Sequence, residues 1–172
     1  MKKQKIAVIC AAVVCIISVI VMASALIFTQ NQTPDFTPPD FDNTAQVGSP
    51  SVPEEMDYTP VEVEDGYVFS VCGKPVEDNG RLLLYFTSAD ENTVWLRLRV
   101  YDDAGNLLGE SGVIRPGEYI PSLEIEEDAG EGDAVKLKIM AYTPETWHSA
   151  GAVEMNTQIY SGSDSTEKEN QT

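Results

Sequence analysis

The chain is poor in the residues on which enzyme chemistry most often depends. Its 172 residues include one histidine and three cysteines. Glu145 and Ser149 lie beside the histidine, His148, but the three are too close in sequence to imply a hydrolytic triad, and no Gly-x-Ser-x-Gly elbow occurs. A zinc site needs further His or Cys ligands, which the sequence does not supply. We therefore expect no enzyme, no cofactor, no metal site and no small-molecule substrate.

Cysteine is also too scarce to build a disulfide framework. Cys10 and Cys15 lie within a long apolar run near the N-terminus, which leaves Cys72 as the one thiol in the rest of the chain. The fold must then be held together by its hydrophobic core. Because Val71 and Gly73 flank Cys72, we expect a buried thiol, with an intermolecular disulfide or a reactive site as the alternative.

Positive charge is the third scarcity. Lys and Arg number 11 against 28 Asp and Glu, for a net charge of −17, and every acidic residue follows the apolar run. Such a chain repels nucleic acid, which is disfavoured as a partner. The acidic stretch Asp102-Asp103-Ala104-Gly105-Asn106 lacks the alternating ligands and closing Glu of a calcium loop, so it predicts a turn.

The apolar run itself indicates a membrane anchor. Residues 6–28 carry no charged side chain, and a helix of that length is roughly 34 Å long, enough to cross the ~30 Å hydrocarbon core. Lysines occur in the basic end, residues 1–5, and none follows the run until Lys74, which predicts a cytoplasmic N-terminus and an extracytoplasmic remainder. Cleavage near Ala25, with secretion of the remainder, is the alternative because Ala23-Ser24-Ala25 fits a signal-peptidase site.

Small residues recur along one stripe of this predicted helix. Ala7, Ala11 and Cys15 are four residues apart, and Ser18 follows three residues later. Small side chains let a second helix approach closely. The stripe is therefore a candidate helix-packing face, and a plain anchor is the alternative.

Residues 29–60 read as an extended tether rich in Pro and Asp. Within it Thr33-Pro34-Asp35-Phe36-Thr37 is echoed by Pro38-Pro39-Asp40-Phe41-Asp42, which places two aromatic rings in an acidic context. Phe36 and Phe41 are either a short linear motif for a partner or anchors that pack onto the lipid surface or the base of the domain.

From residue 61 to residue 160 the pattern is all-β. Short alternating runs are broken by Gly, Asn, Asp and Pro, which predicts an immunoglobulin-like two-sheet sandwich of about seven strands. The predicted strands are 61–72, 81–88, 93–101, 106–114, 118–126, 134–142 and 151–159. The polar tail, residues 161–172, is expected to be disordered.

Two of these strands indicate a candidate interaction face. Each of these strands has one aliphatic face that is expected to point into the core of the domain. In the third strand this face is Val94, Leu96, Leu98 and Val100, and in the sixth it is Val135, Leu137 and Ile139. In an immunoglobulin-like topology these are neighbouring strands, C and F, and their outer faces merge. The face comprises Trp95, Arg97, Arg99, Tyr101, Lys136, Lys138 and Tyr142. A binding role competes with a lattice of ion pairs to Glu154 and other carboxylates.

Trp147 and His148 occupy the predicted loop before the last strand. A tryptophan there either closes the end of the sandwich or contacts a partner. Both residues are therefore candidate loop contacts.

Several segments carry a resemblance. Pro38-Pro39-Asp40-Phe41-Asp42, Val47-Gly48, Cys72-Gly73, Tyr85-Phe86-Thr87, Gly109-Glu110-Ser111-Gly112, Arg115-Pro116-Gly117-Glu118-Tyr119 and Tyr142-Thr143-Pro144-Glu145-Thr146 look like segments of short, single-pass, membrane-anchored extracytoplasmic proteins of clostridia-like Gram-positive bacteria. The resemblance covers the tether and the domain. It implies a bacterial surface protein and brings no activity or catalytic residues with it.

The sequence thus predicts a non-enzymatic, single-pass bacterial surface protein. Its sandwich would act as an interaction or accessory module, with a protein or an anionic envelope polymer as partner. The alternative is a structural subunit of a membrane-embedded envelope, secretion or conjugation assembly. An extracytoplasmic hydrolase is a third and weaker hypothesis, because the chain lacks catalytic motifs.

Overall fold

The computed structural model describes residues 36–125 and 129–162. The predicted span 6–28, with Ala7, Ala11, Cys15 and Ser18, lies outside the described residues, as do residues 163–172 of the predicted tail. In the described ranges no helix is long and apolar enough to cross a membrane. The chain divides into two compact units, Met1–Thr37 and Pro38–Thr172, and the strands lie in the second.

The described part of this unit is built from β-strands, with one short 3-10 helix at Glu54–Met56. The strands are β1 (Gln46–Val47), β2 (Tyr58–Glu62), β3 (Val68–Cys72), β4 (Val76–Asp78), β5 (Arg81–Ser88), β6 (Trp95–Asp102), β7 (Leu107–Ile114), β8 (Glu118–Glu124), β9 (Ala134–Tyr142), β10 (Ser149–Gln158) and β11 (Tyr160–Ser161). The predicted all-β class is confirmed, but the described residues form eleven strands and not about seven. The first predicted strand is two strands, and the short strands β1, β4 and β11 lie where the sequence shows no alternation; β11 includes Ser161, which was predicted to belong to the disordered tail.

The strands form two sheets. One has the order β1-β8-β5-β3-β2, with β4 paired to β5 and to the short parallel strand β11. The other is four-stranded, in the order β10-β9-β6-β7, and all its pairings are antiparallel. Side chains from both sheets meet in one hydrophobic cluster, so the unit is a two-sheet sandwich.

The core follows the alternation read from the sequence. Leu96, Leu98 and Val100 of β6 are inaccessible to solvent, and Leu137 and Ile139 of β9 are nearly or fully so. These strands pair directly, with Leu98 opposite Ile139. Their intervening residues therefore lie together on the outer face of the four-stranded sheet, as predicted.

The first predicted strand, 61–72, is in fact a hairpin. The chain reverses between β2 and β3, where Val63 accepts a hydrogen bond from the amide of Gly66 and donates one to the carbonyl of Tyr67. Gly66 has a φ of 87°, which glycine adopts at no steric cost. The turn is short, so the alternation of β2 runs into that of β3 and hides the break.

The domain begins earlier in the chain than residue 61. Within the segment predicted as a tether, β1 pairs with β8, β2 starts at Tyr58, and Met56 is 5% exposed. Phe41 also forms an isolated parallel bridge with Val113 of β7. Prolines interrupt this segment, so its contact residues occur singly and the sequence shows no alternating hydrophobic pattern there.

Candidate functional site

Four charged residues form a row across the four-stranded sheet. Arg99 of β6 is opposite Glu110 of β7 on one side and Lys138 of β9 on the other, and Lys138 is opposite Glu154 of β10. We call Glu110, Arg99, Lys138 and Glu154 the charged row. Its two cations are adjacent at the centre, and a carboxylate closes each end.

Each carboxylate of the charged row holds two cations. Glu110 bonds to Arg99 Nε at 2.9 Å and to Arg97 Nη2 at 2.6 Å. Glu154 bonds to Lys138 Nζ at 2.9 Å and to Lys136 Nζ at 3.5 Å. Four cations thus share two carboxylates, and this face has a cationic surplus on a strongly acidic chain.

The ion pairs shift the proton equilibria in the expected directions. A hydrogen bond from Lys138, and then its charge, lowers the pKa of the Glu154 carboxyl. The same hydrogen bond raises the pKa of Lys138. Burial opposes the charge of Arg99, but hydrogen bonds to Tyr101 and Glu110 and the charge of Glu110 raise its pKa. These shifts all favour the charged forms of Arg99, Lys138 and Glu154.

Arg97 has a structural role within this face. Only 13% of its side chain is exposed, and its Nε donates to the carbonyl of Ser111 at 2.9 Å. The register of β7 shifts at this point, so Ser111 turns inward and its Oγ accepts the amide of Leu98. Arg97 thus satisfies a backbone group freed by a β-bulge. The more exposed cations of the face are Arg99, Lys136 and Lys138, at 34%, 45% and 34%.

Aromatic rings gather at one end of the same face. Trp95 is opposite Tyr142 in the β6–β9 register, and the Trp147 ring lies 4.8 Å from that of Trp95 and 6.1 Å from that of Tyr142. Phe41 completes this aromatic cluster, with its ring edge-on to Trp95 at 4.9 Å and tilted to Trp147 at 5.8 Å. Three sequence-predicted sets, the sheet face, the loop and the tether, therefore meet here.

The backbone around Phe41 fixes this contact. The amide of Asp42 donates to the carbonyl of Val113, and the amide of Val113 donates to the carbonyl of Asp40, each at 2.9 Å. The Asp42 carboxylate also accepts the amide of Gly112 at 2.9 Å. A Cβ on Gly112 would lie 2.5 Å from the Asp42 backbone, so the segment approaches this closely only because residue 112 is glycine.

The β9–β10 loop places Trp147 over the sheet. The amide of Thr143 donates to the carbonyl of His148 at 2.8 Å, and the amide of Trp147 donates to the carbonyl of Thr143 at 2.9 Å. Trp147 has a φ of 59°, which is an unfavourable backbone conformation for a non-glycine residue. The contacts of its ring offset this cost. The His148 side chain is exposed.

Sequence reasoning missed three participants. Arg115 stacks its guanidinium over the Phe41 ring, 3.7 Å from the centroid. Glu110 and Gly112 lie on a strand whose bulge the alternation did not reveal. Phe36, the other predicted ring, is 64% exposed. Residues 36–125 and 129–162 contain no group of three or more His, Cys, Asp or Glu side chains that could hold a metal.

Comparisons of the chain with family models, with curated proteins and with solved structures gave no match.

Proposed function

We propose that the protein is a non-enzymatic surface module whose four-stranded sheet binds an acidic partner through its outer face. The observation that carries the proposal is the sharing of two carboxylates, Glu110 and Glu154, among four cations. An incoming carboxylate finds Arg99, Lys136 and Lys138 close together and only partly neutralised. The positive charge is confined to this face, whereas the rest of the chain is strongly acidic. An acidic ligand is therefore attracted to this face and repelled by other surfaces.

The aromatic cluster extends this face toward Phe41 and Trp147. Aromatic residues next to arginine are typical anchors of protein interfaces, because they bury large areas with little loss of conformational freedom. We therefore favour an extended acidic protein segment with apolar side chains over a purely anionic envelope polymer. Such a segment would lie across β6 and β9, with its charges on the cations and its apolar part on the rings.

Amide mapping tests the location of this site. Poly-L-glutamate serves as the probe and is added to the isotopically labelled fragment 38–162, which contains all the strands of the sandwich. We expect the largest chemical-shift changes at Arg99, Lys136 and Lys138. Changes centred on Lys74 and Arg81, the cations of the other sheet and its connections, would contradict the proposal.

The proposal includes the architecture around this face. We assign the sandwich to the immunoglobulin-like class, in which β6 and β9 take the places of strands C and F. We also propose that residues 6–28 anchor the chain in a bacterial membrane, with the sandwich outside the cell and cleavage near Ala25 as the alternative. Protease added to intact cells should remove the sandwich and spare a short N-terminal fragment, if the anchor is retained.

A second candidate function rests on the edge strand β10. In the described part of the chain β10 pairs only with β9, and its ten residues carry one charge, that of Glu154. A long edge strand with few charges and no proline is open to pairing with a further strand. This observation favours a structural subunit of a larger envelope assembly. Glu154 has two cationic partners, so a substitution there would disturb the charged row. A proline at Asn156 removes a backbone donor from β10 instead, and it therefore tests strand addition with less effect on that row.

A further inference from the structure

The site on β7 that holds Phe41 is built to recognise a short sequence. We call it the β7 groove, and it is formed by Trp95, Gly112, Val113, Arg115 and Trp147. It offers the ligand one backbone donor and one backbone acceptor on Val113, an amide on Gly112, and a cage of two tryptophans and an arginine. In the structure Asp40, Phe41 and Asp42 satisfy all of these groups.

The same chain carries a second sequence of this kind. Pro34-Asp35-Phe36 repeats Pro39-Asp40-Phe41 five residues upstream. Phe36 is 64% exposed, so its ring still has apolar surface that binding in a groove would bury. We propose that Asp35-Phe36-Thr37 is an alternative ligand of the β7 groove in the same molecule, and that it replaces Asp40-Phe41-Asp42 by a shift of five residues.

The chemistry of the two copies explains which one is bound in the structure. Thr37 stands where the downstream copy has Asp42, and Asp42 accepts bonds from the Gly112 amide and from the amide and hydroxyl of Thr44. The upstream copy keeps the phenylalanine and the aspartate before it but lacks this carboxylate. It is therefore the weaker ligand, and Phe41 holds the groove in the ground state.

Tethering makes the same chain the right source of the second ligand. A ligand held five residues away has an effective concentration in the millimolar range, so it outcompetes a segment of another copy at ordinary concentrations. The shift adds five residues to the loop before β1, and the entropic cost of a longer loop grows slowly. The exchange withdraws five residues from the chain N-terminal to the domain, about 17 Å when extended.

Exchange of the Val113 amide is the most direct reporter of an occupied groove, because its proton is bonded to the carbonyl of Asp40. The full chain in detergent micelles is compared as wild type, Phe41→Ala, Phe36→Ala and the double variant. In Phe41→Ala the Asp35 carbonyl takes over, so protection of Val113 should fall by less than about tenfold, whereas the double variant should lose about a hundredfold. The chain's two tryptophans are both in the groove, so their fluorescence provides a second readout.

Removal of residues 38–42 tests the upstream copy without any added loop. Thr37 then precedes Asn43, so Phe36 falls at the position of Phe41 in the normal register. We expect Val113 to stay protected in this deletion variant and to lose protection when Phe36→Ala is added. Gly112→Ala, whose new Cβ blocks the Asp42 position, is the reference for an empty groove.

Three results would overturn the proposal. Phe41→Ala and the double variant could exchange Val113 equally fast, the deletion variant could match Gly112→Ala, or the double variant could keep full protection. The first two results would mean that Phe36 does not bind in the groove. The third would mean that binding in the groove does not require a phenylalanine ring. Slow exchange of the amides of β9, a central strand that does not pair with β7, shows in every variant that the sandwich itself remains folded.

Discussion

Arg99 and Lys138 lie directly opposite each other in the register of β6 and β9, although both are cations. Like charges at opposed positions destabilise a sheet. Here Glu110 and Glu154 complete the row on its outer sides, so each cation has a carboxylate at 2.9 Å. The pairing keeps the cations together, which is the arrangement that the proposed acidic partner would bind.

The cations of this face should differ in what they contribute to stability. Arg97→Ala should lower the free energy of unfolding by about 1–3 kcal/mol, because it leaves the Ser111 carbonyl without its charged donor. Lys136→Ala should cost a small fraction of that amount, since Lys136 is 45% exposed and its pair with Glu154 is long. Urea denaturation of both variants measures the difference. Equal losses would mean that Arg97 is not a structural residue.

The core prediction concerns Leu98 and Ile139, which face each other between β6 and β9 and have no exposed surface. Replacing either residue with Ala should cost about 2–5 kcal/mol through lost burial and a cavity. Lys138→Ala, on the opposite face of the same sheet, should leave the melting temperature nearly unchanged. A larger effect at Lys138 than at Ile139 would reverse the assignment of inner and outer faces.

Cys72 should make the domain less stable in alkali. Burial, with a smaller effect from Asp57, raises the pKa of its thiol from 9.0 to about 12. The unfolded chain loses this proton near its ordinary pKa while the folded chain keeps it, so stability should fall as pH rises above about 9. Between about pH 9 and 10 the slope should be smaller in Cys72→Ala by about one proton, whereas the raised pKa values of Tyr67, Lys74 and Lys138 keep contributing at higher pH in both proteins. Residues 38–162 contain no other cysteine, so iodoacetamide should label this fragment only when it unfolds.

The start of the domain can be tested by truncation. A fragment of residues 61–160 lacks β1, the buried Met56, the Phe41 contacts and the residues of β2 that pair with Ser70, Val71 and Cys72. It should melt well below residues 38–162, because it exposes apolar core and leaves strand edges unpaired. Circular dichroism during heating compares the two fragments. Identical melting temperatures would mean that residues 38–60 do not stabilise the domain and act as a tether.

Alternation predicted the inner and outer faces of β6 and β9 because each strand buries one face along its whole length. It thereby predicted which cations share a surface. The role of Arg97 was not predictable, since it depends on a bulge at Ser111 that alternation does not reveal. The docking of Phe41 depends on the missing side chain of Gly112, and a glycine within a strand has several possible meanings in a sequence.

The most direct test of the proposed function compares two matched double variants for affinity to poly-L-glutamate. Lys136→Gln/Lys138→Gln removes two cations from the four-stranded sheet, whereas Lys74→Gln/Arg81→Gln removes two ion-paired cations elsewhere. Both fragments of residues 38–162 have the same net charge, so any general effect of charge is equal in the two. Calorimetric titration should show binding about tenfold weaker for the first variant, and within about twofold of wild type for the second. Equal weakening in both, or none in the first, would contradict a binding site on the β6–β9 face.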